Sequence, residues 1–146
     1  MCIRDSPGNC GNLIRTAEAF GASGVLFHGG VDPYNPKVVR SSAGSFFRMR
    51  FAVLEERFPY NKLFEELKKS DYKSVATAPS GGIAPEDVAE NSRIAVILGN
   101  EPRGLPKKIE ALCDEIVRVR IEERVEALNV ATAGAVILYG IKRSLI

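Results

Sequence analysis

Residues 117–140, VRVRIEERVEALNVATAGAVILYG, decide how the rest of the chain is interpreted. Apolar residues occupy alternate positions over residues 115–121, which predicts a short β-strand. A charged loop, 122–126, comes next. Residues 127–144 are then rich in Ala, Val and Leu, with no helix breaker before Gly140, and this composition predicts a buried helix. The start of such a helix has free backbone N–H groups and a partial positive charge, so it is a plausible place to hold a ligand.

The composition is that of one globular domain with a hydrophobic core. The chain has 146 residues, of which 45% are hydrophobic and 26% are charged. Its net charge of +2 gives no overwhelming basic field, so any binding of nucleic acid requires a local basic patch. No long charge-free apolar run is present, so no membrane span is expected. The three cysteines form no CxxC pair, which favours reduced thiols, a cytoplasmic location and no metal site.

Predicted strands alternate with predicted helices along the chain. This alternation predicts an α/β fold, a mainly parallel sheet with helices on its faces. The predicted strands are 24–27, 51–54, 72–77, 93–98 and 115–121, and the principal helices are 7–20, 61–70, 106–113 and 127–144.

Two further segments have the residue types of a ligand site. Residues 7–20, PGNCGNLIRTAEAF, form a Gly/Asn-rich turn that leads into a helix with Arg15 one turn inside it. Residues 99–105, GNEPRGL, follow the predicted strand 93–98 and place Glu101 between two glycines. A carboxylate and glycines at the carboxyl end of a strand are typical of α/β ligand sites, although an incidental loop glutamate would look the same.

In this order, the three segments resemble the motifs of the SpoU (TrmH) family of RNA ribose methyltransferases, in the knotted SPOUT class. Pro7, Asn9, Gly11 and Arg15 match the first motif, and residues 98–105 match the second. Residues 119–130 match the third, with three departures from the family pattern. These departures are Arg120 in place of Pro, Glu123 in place of Gly, and Ala127 in place of Ser.

The resemblance implies the fold, the cofactor and the site. The fold would contain a C-terminal trefoil knot, the protein would be a homodimer, and the cofactor would be S-adenosyl-L-methionine. The implied cofactor-binding residues are Thr77, Leu98, Gly99, Val119, Ile121 and Leu128; Val119 and Leu128 have the family's spacing of nine positions. The implied catalytic residues are Asn9, Arg15, Glu101 and Asn129.

Arg15 is the residue that the resemblance places at the centre of hydroxyl activation. A free guanidinium keeps its proton at neutral pH, so Arg15 would either grip the RNA phosphate and polarise the hydroxyl or be strongly perturbed. Asn9 and Asn129 would orient Arg15 and the substrate through amide hydrogen bonds, and Glu101 would accept hydrogen bonds.

A basic, aromatic-flanked segment lies between the first and second motifs. Lys37, Arg40, Arg48 and Arg50 surround Phe46 and Phe47, which favours phosphate contacts with RNA, for which Arg15 is a further candidate. A solvated helix face with core phenylalanines is the structural alternative. The segment resembles the rRNA-directed branch of the family, so rRNA is favoured over tRNA as the substrate.

Residues 1–6 match nothing that follows, and the family's first strand, which precedes Pro7, is missing. We therefore expect residues 1–6 to be a non-native or junction segment and residues 7–146 to be the methyltransferase domain. Two other functions are considered: a non-catalytic RNA-binding relative of the same fold, and a small flavodoxin-like nucleotide-binding protein. No GxGxxG signature is present, which weakens the nucleotide-binding alternative.

Overall fold

The structure is a computed structural model that describes residues 6–88, 93–99 and 104–144. Its helices are α1 (Pro7–Ala19), α2 (Pro36–Ser41), α3 (Tyr60–Lys69), α4 (Lys107–Glu110) and α5 (Val130–Ser144). Its strands are β1 (Val25–His28), β2 (Phe51–Leu54), β3 (Lys73–Thr77), β4 (Ile94–Ile97) and β5 (Glu115–Val117). Two short 3₁₀ helices, Ser45–Phe47 and Pro85–Asp87, complete the described secondary structure.

Every described strand pair is parallel. β1 pairs with β2, and β3 lies between β4 and β5 in a second group. Parallel strands require crossover connections, which the helices between the strands supply. The predicted α/β architecture is therefore confirmed.

The terminal helices α1 and α5 pack against each other at a glycine. A Cβ atom at Gly134 of α5 would lie 2.6 Å from Leu13 Cδ2 of α1. Leu13, Ile14, Val130 and Ala131 are buried together in one core cluster. The contact positions the start of α5 beside the start of α1, although the two segments are far apart in sequence.

The third motif differs from the sequence prediction at two boundaries. β5 ends at Val117 because the chain there leaves β3, and the next amide, that of Arg118, donates to Ile83 O at 2.9 Å. α5 begins at Val130 and not at Ala127, because Asn129 caps it. Asn129 Oδ1 accepts hydrogen bonds from Ala131 N at 3.0 Å and Thr132 N at 3.4 Å.

Ser6, which directly precedes the predicted domain, belongs structurally with α1. It is the N-cap residue of the helix, and its side chain accepts a hydrogen bond from Asn9 N at 3.4 Å. Its carbonyl oxygen also accepts from Cys10 N at 3.2 Å. Residues 1–5 lie outside the described residues.

A cavity of about 620 Å³ separates the two groups of strands. Residues of β1 and β4 line it from opposite sides, among them Val25, Leu26, Ala95 and Val96. Leu13 of α1 and Leu63 of α3 are among the residues that line it from the helices. In the described part of the chain, no β-ladder joins β1 to β4.

None of the helices, over the residues that the structure describes, is long and apolar enough to cross a membrane. Within the same residues, no three His, Cys, Asp or Glu side chains come together as candidate metal ligands.

Candidate active site

A second, smaller cavity of about 120 Å³ lies where three parallel strands end. Thr77 closes β3, Gly99 follows β4, and Val119 and Ile121 follow β5. The complete lining is Thr77, Ala78, Pro79, Gly99, Gly104, Val119, Ile121, Ala127, Leu128, Val130, Ala133 and Ile137. The lining is mostly apolar and lies at the carboxyl edge of a parallel sheet, where α/β proteins hold their ligands.

Five of the six predicted cofactor-binding residues line this cavity: Thr77, Gly99, Val119, Ile121 and Leu128. Leu98 does not; it is buried in the core with Leu13 and lines the larger cavity instead. Among the residues that sequence reasoning did not name are Ala78 and Pro79. The feature that could have identified them is the loop of small residues after β3, which permits close approach of a ligand.

Gly99 is required by the way in which the chain packs on itself. A Cβ atom there would lie 2.3 Å from the carbonyl carbon of Gly104 and 2.4 Å from Leu105 N. Distances this short are excluded for real Cβ atoms, so any larger residue would separate the two segments. The glycine therefore determines the wall of the cavity as well as access to it.

Asn9 and Asn129 are brought together from opposite ends of the described chain. Asn129 Nδ2 donates to Asn9 Oδ1 at 3.0 Å, while Asn129 Oδ1 caps α5. The cap fixes the orientation of the Asn129 amide, and that amide then fixes Asn9. Two residues predicted to act together thus form one rigid polar pair beside Leu128, which lines the cavity.

Ala127 lies in the non-helical segment before Asn129 and lines the cavity. A serine here would not cap α5, because the capping position is two residues later. The expectation that Ala127 stands at the helix start was therefore wrong. The departure from the family pattern at this position changes the cavity wall and leaves the helix cap unaffected.

Arg15 is exposed on α1, and no described side chain forms a hydrogen bond or ion pair with it. Its guanidinium is accordingly available to an anionic substrate. One turn before Arg15, the backbone of α1 is packed closely against α2. A Cβ atom at Gly11 would lie only 2.3 Å from Val38 O of α2. Glu101, the remaining predicted catalytic residue, lies outside the described residues.

Cys10 lies next to Asn9 but is not a candidate nucleophile. It is fully buried, and burial raises the pKa of its thiol to about 12. The reactive form of cysteine is the thiolate, which such a pKa excludes at neutral pH. Cys10 and Cys113 are both free thiols.

All five predicted RNA-binding side chains are exposed: Arg15, Lys37, Arg40, Arg48 and Arg50. Arg48 differs, because Glu18 of α1 binds it through two hydrogen bonds, Nε to Oε1 at 2.6 Å and Nη2 to Oε2 at 2.8 Å. This contact lowers the pKa of Glu18 to about 2. The charge of Arg48 is thus partly neutralised within the protein.

The sequence model of the SpoU rRNA Methylase family matches residues 3–139. The chain belongs to this family. Among its relatives is the 23S rRNA (guanosine(2553)-2'-O)-methyltransferase RlmP of Bacillus subtilis (strain 168), 33% identical over 137 residues, with 93% of this chain and 54% of the relative covered. The 23S rRNA (uridine(2479)-2'-O)-methyltransferase of Streptomyces viridochromogenes is also 33% identical, with 92% and 48% covered.

Solved structures share the fold. The AdoMet-bound rRNA methyltransferase from Sinorhizobium meliloti superposes with a TM-score of 0.88 at 29% identity, over 99% of this chain and 54% of that one. The SpoU methyltransferase AviRb from Streptomyces viridochromogenes, in complex with AdoMet, gives a TM-score of 0.87 at 31% identity, over 97% and 55%. The predicted trefoil knot follows from this fold. The chain spans about half the length of these relatives.

Proposed function

We propose that this SpoU-family chain is the cofactor-binding and catalytic domain of an S-adenosyl-L-methionine-dependent RNA 2'-O-ribose methyltransferase that acts on rRNA. The observation that carries the proposal is the apolar cavity at the ends of β3, β4 and β5, with the Asn9–Asn129 pair beside it. Curated relatives named as 23S rRNA 2'-O-methyltransferases support rRNA over tRNA.

The residues that line the cavity fit this cofactor. Val119, Leu128 and Ile137 offer apolar surface to an adenine ring, and the chain segments at Thr77 and Gly99 bring backbone groups to its edge. When bound, the cofactor supplies an electrophilic methyl group. The protein's part is to hold the ribose 2'-hydroxyl in line with that methyl group, which converts a bimolecular step into an effectively unimolecular one.

Each proposed catalytic side chain has a task that its geometry allows. Arg15 grips the RNA phosphate and polarises the hydroxyl as its proton leaves, because its guanidinium is exposed and engaged by no described side chain. The Asn9–Asn129 pair orients the ribose with fixed amide groups. We assign Glu101 the role of a hydrogen-bond acceptor in the same site on sequence grounds.

The proposal is tested by measuring cofactor binding and substrate preference. Calorimetric titration with S-adenosyl-L-methionine is expected to show one site per chain. Transfer of a labelled methyl group is expected for total rRNA and to be much weaker for total tRNA. Cofactor binding without transfer to either RNA would identify the non-catalytic alternative, and no cofactor binding would reject the proposal.

We further propose that the domain acts as a homodimer, as the family resemblance implies. Val136 and Tyr139 on α5 are exposed apolar side chains, and Tyr139 packs on Phe20 of α1 at a centroid distance of 5.8 Å. These side chains form an apolar surface that a second copy could cover. Sedimentation of the protein used in the titration measures this association.

Finally, we propose that residues 7–146 are one methyltransferase domain. We propose further that its sheet takes an additional parallel strand in the cavity of about 620 Å³ between β1 and β4. β1 and β4 have four residues each. α1 begins beside Asn129, at the carboxyl edge of the sheet, so such a strand would directly precede Ser6.

Replacing residues 1–5 with Met followed by four β-branched apolar residues is expected to raise Tm by about 10 °C or more. Burial of several apolar side chains contributes on the order of 5 kcal/mol, and each kcal/mol raises Tm by about 2–4 °C in a domain of this size. The control has proline at alternate positions, which preserves length and apolar character but removes N–H donors. The proposal would be contradicted if the two replacements changed Tm by the same amount, or if neither changed it.

A further inference from the structure

Two exposed aromatic rings share one anchored cluster beside the basic segment. Tyr34 is 64% exposed and Phe47 is 77% exposed, although aromatic side chains of this size normally contribute to cores. Both contact Phe46, with centroid distances of 5.8 Å for Tyr34 and 5.4 Å for Phe47. Phe46 itself packs on Phe51 at 4.8 Å and on the core cluster that contains Phe27 and Val38.

The rings rest on Phe46 and Phe51, which are partly buried and pack against the core cluster. Tyr34 also contacts Phe51, with a centroid distance of 5.7 Å, and Tyr34 N donates to Asp32 Oδ1 at 2.9 Å. Phe47 belongs to a 3₁₀ helix that begins directly after Gly44, whose φ is 85°. Because these contacts already restrict the rings, the rings lose little conformational freedom when a flat ligand stacks on them. An exposed ring of this kind is therefore suited to binding such a ligand.

The charge around the rings favours a polyanion. Residues 33–54 contain four basic side chains and no acidic one, although the whole chain has a net charge of only +2. Glu18 binds Arg48 and Asp32 accepts from Tyr34 N, so the basic excess rests on the other three side chains. Lys37 and Arg40 on α2 and Arg50 before β2 are exposed. A symmetric contact between two copies of this surface would place like charges opposite each other, which disfavours a second copy as the occupant.

The surface is joined to the catalytic segment. α2 packs so closely on α1 that a Cβ atom at Gly11 would lie 2.0 Å from Ser41 Oγ. Ser41 Oγ, whose hydroxyl donates to Lys37 O at 2.8 Å, also lies 3.4 Å from Pro7 O, two residues before Asn9. A nucleic acid held by Tyr34 and Phe47 would therefore be placed relative to the proposed site by a fixed pair of helices.

We infer that Tyr34 and Phe47 form a stacking platform for unpaired nucleobases, so that the substrate is recognised as a single-stranded or loop region of RNA. Bases in a duplex are already stacked on each other, whereas unpaired bases expose their faces to aromatic side chains. The inference rests on the proposed RNA methyltransferase function and adds the structural state of the RNA. Lys37 and Arg40 would contact phosphates and the rings would contact bases.

The test compares an unpaired RNA of about 12 nucleotides with a duplex of the same length, because single-strand sites span about 4–16 nucleotides. Tyr34→Ala and Phe47→Ala are each expected to weaken binding of the unpaired RNA by about tenfold or more. Binding of the duplex and the salt dependence of binding should stay unchanged. Neutralising Lys37 and Arg40 together should instead weaken both RNAs and reduce the salt dependence.

Tyr34→Phe is the matched control, and it also supplies a direct signal. The chain has no tryptophan and four tyrosines, so stacking on Tyr34 should quench part of the tyrosine fluorescence. Tyr34→Phe should keep the affinity of the parent and lose that part of the quenching. Equal affinity of the parent and both alanine variants for unpaired RNA would overturn the inference, as would a change in sedimentation that identified the rings as a contact between copies.

This result is separable from the outcome for the proposed function. Methyl transfer with no effect of the alanine variants would leave the function intact and overturn the platform. Stacking without methyl transfer would support the platform in a non-catalytic RNA-binding protein.

Discussion

Replacing Arg15 with alanine is expected to lower the rate of methyl transfer by about 10²–10⁴-fold, the range typical of a positioned group that assists proton transfer. The loss should fall mainly on kcat, because the proposed action of the guanidinium is on the developing alkoxide and on the adjacent phosphate. Calorimetric affinity for S-adenosyl-L-methionine should be unchanged, since Arg15 does not line the cofactor cavity. The melting temperature should change little, because Arg15 is exposed and has no described partner.

Arg15→Lys separates the two roles that the sequence left open. Lysine keeps the positive charge but loses the planar fork that binds an anion through two hydrogen bonds. If Arg15 is an electrostatic clamp, the lysine variant should recover RNA affinity and part of the rate. If the lysine variant loses as much methyl-transfer activity as the alanine variant, the guanidinium itself takes part in activating the ribose hydroxyl. Alanine-variant activity within a few-fold of the parent would remove Arg15 from the chemistry.

Local sequence patterns predicted most of the fold because each element has its own signal. β2 begins and ends where the sequence predicted, and α3 differs from its prediction by a single residue at each end. α1 begins at Pro7, where the sequence predicted a turn that leads into the helix. β5 was predicted too long because alternation continues after Val117, where the partner strand β3 has already ended at Thr77. Strand ends depend on the partner strand, and a single-strand pattern does not contain that partner.

The start of α5 shows a second kind of limit. Apolar composition from Ala127 onward predicted a helix, but a cap at Asn129 keeps Ala127 and Leu128 outside it. Asparagine is a favoured N-cap residue, so Asn129 itself indicates the later helix start, whereas the apolar composition alone indicates the earlier one. The later start matters for the site, because residues in the non-helical segment form part of the cavity wall.

The site required both local pattern and family resemblance. Gly99 and Leu128 were predicted because each lies in a motif, and Thr77 because it ends a strand before a small-residue loop; all three line one cavity. The hydrogen bond between Asn9 and Asn129 crosses 120 positions, a contact that no periodicity predicts. It arises from the packing of α1 on α5 at Gly134, which depends on the tertiary fold.

Substitution of Asn129 is expected to lower methyl transfer. The choice of substitution distinguishes its two hydrogen-bonding roles, which are capping α5 and donating to Asn9. Asn129→Ala removes the cap of α5 and the donor to Asn9, so both Tm and turnover should fall. Loss of an N-cap costs about 0.5–2 kcal/mol, and misplacement of a substrate-orienting group costs on the order of 10²-fold in rate. Cofactor affinity should also weaken, because Leu128 and Val130 on either side of Asn129 line the cavity.

Asn129→Asp is the matched control, since aspartate caps a helix as well as asparagine but its carboxylate can only accept, so Asn9 must turn its amide and the hydrogen bond between the two side chains is reversed. It should therefore keep the Tm and cofactor affinity of the parent while losing turnover. Asn9→Leu removes the other partner of the 3.0 Å hydrogen bond and should lower turnover to a similar extent. If the two amides act as one unit, the double variant Asn9→Leu/Asn129→Asp should be no slower than either single variant. Losses that multiply would show two independent roles. Parental turnover in both Asn129→Asp and Asn9→Leu would mean that Asn129 serves only to cap α5.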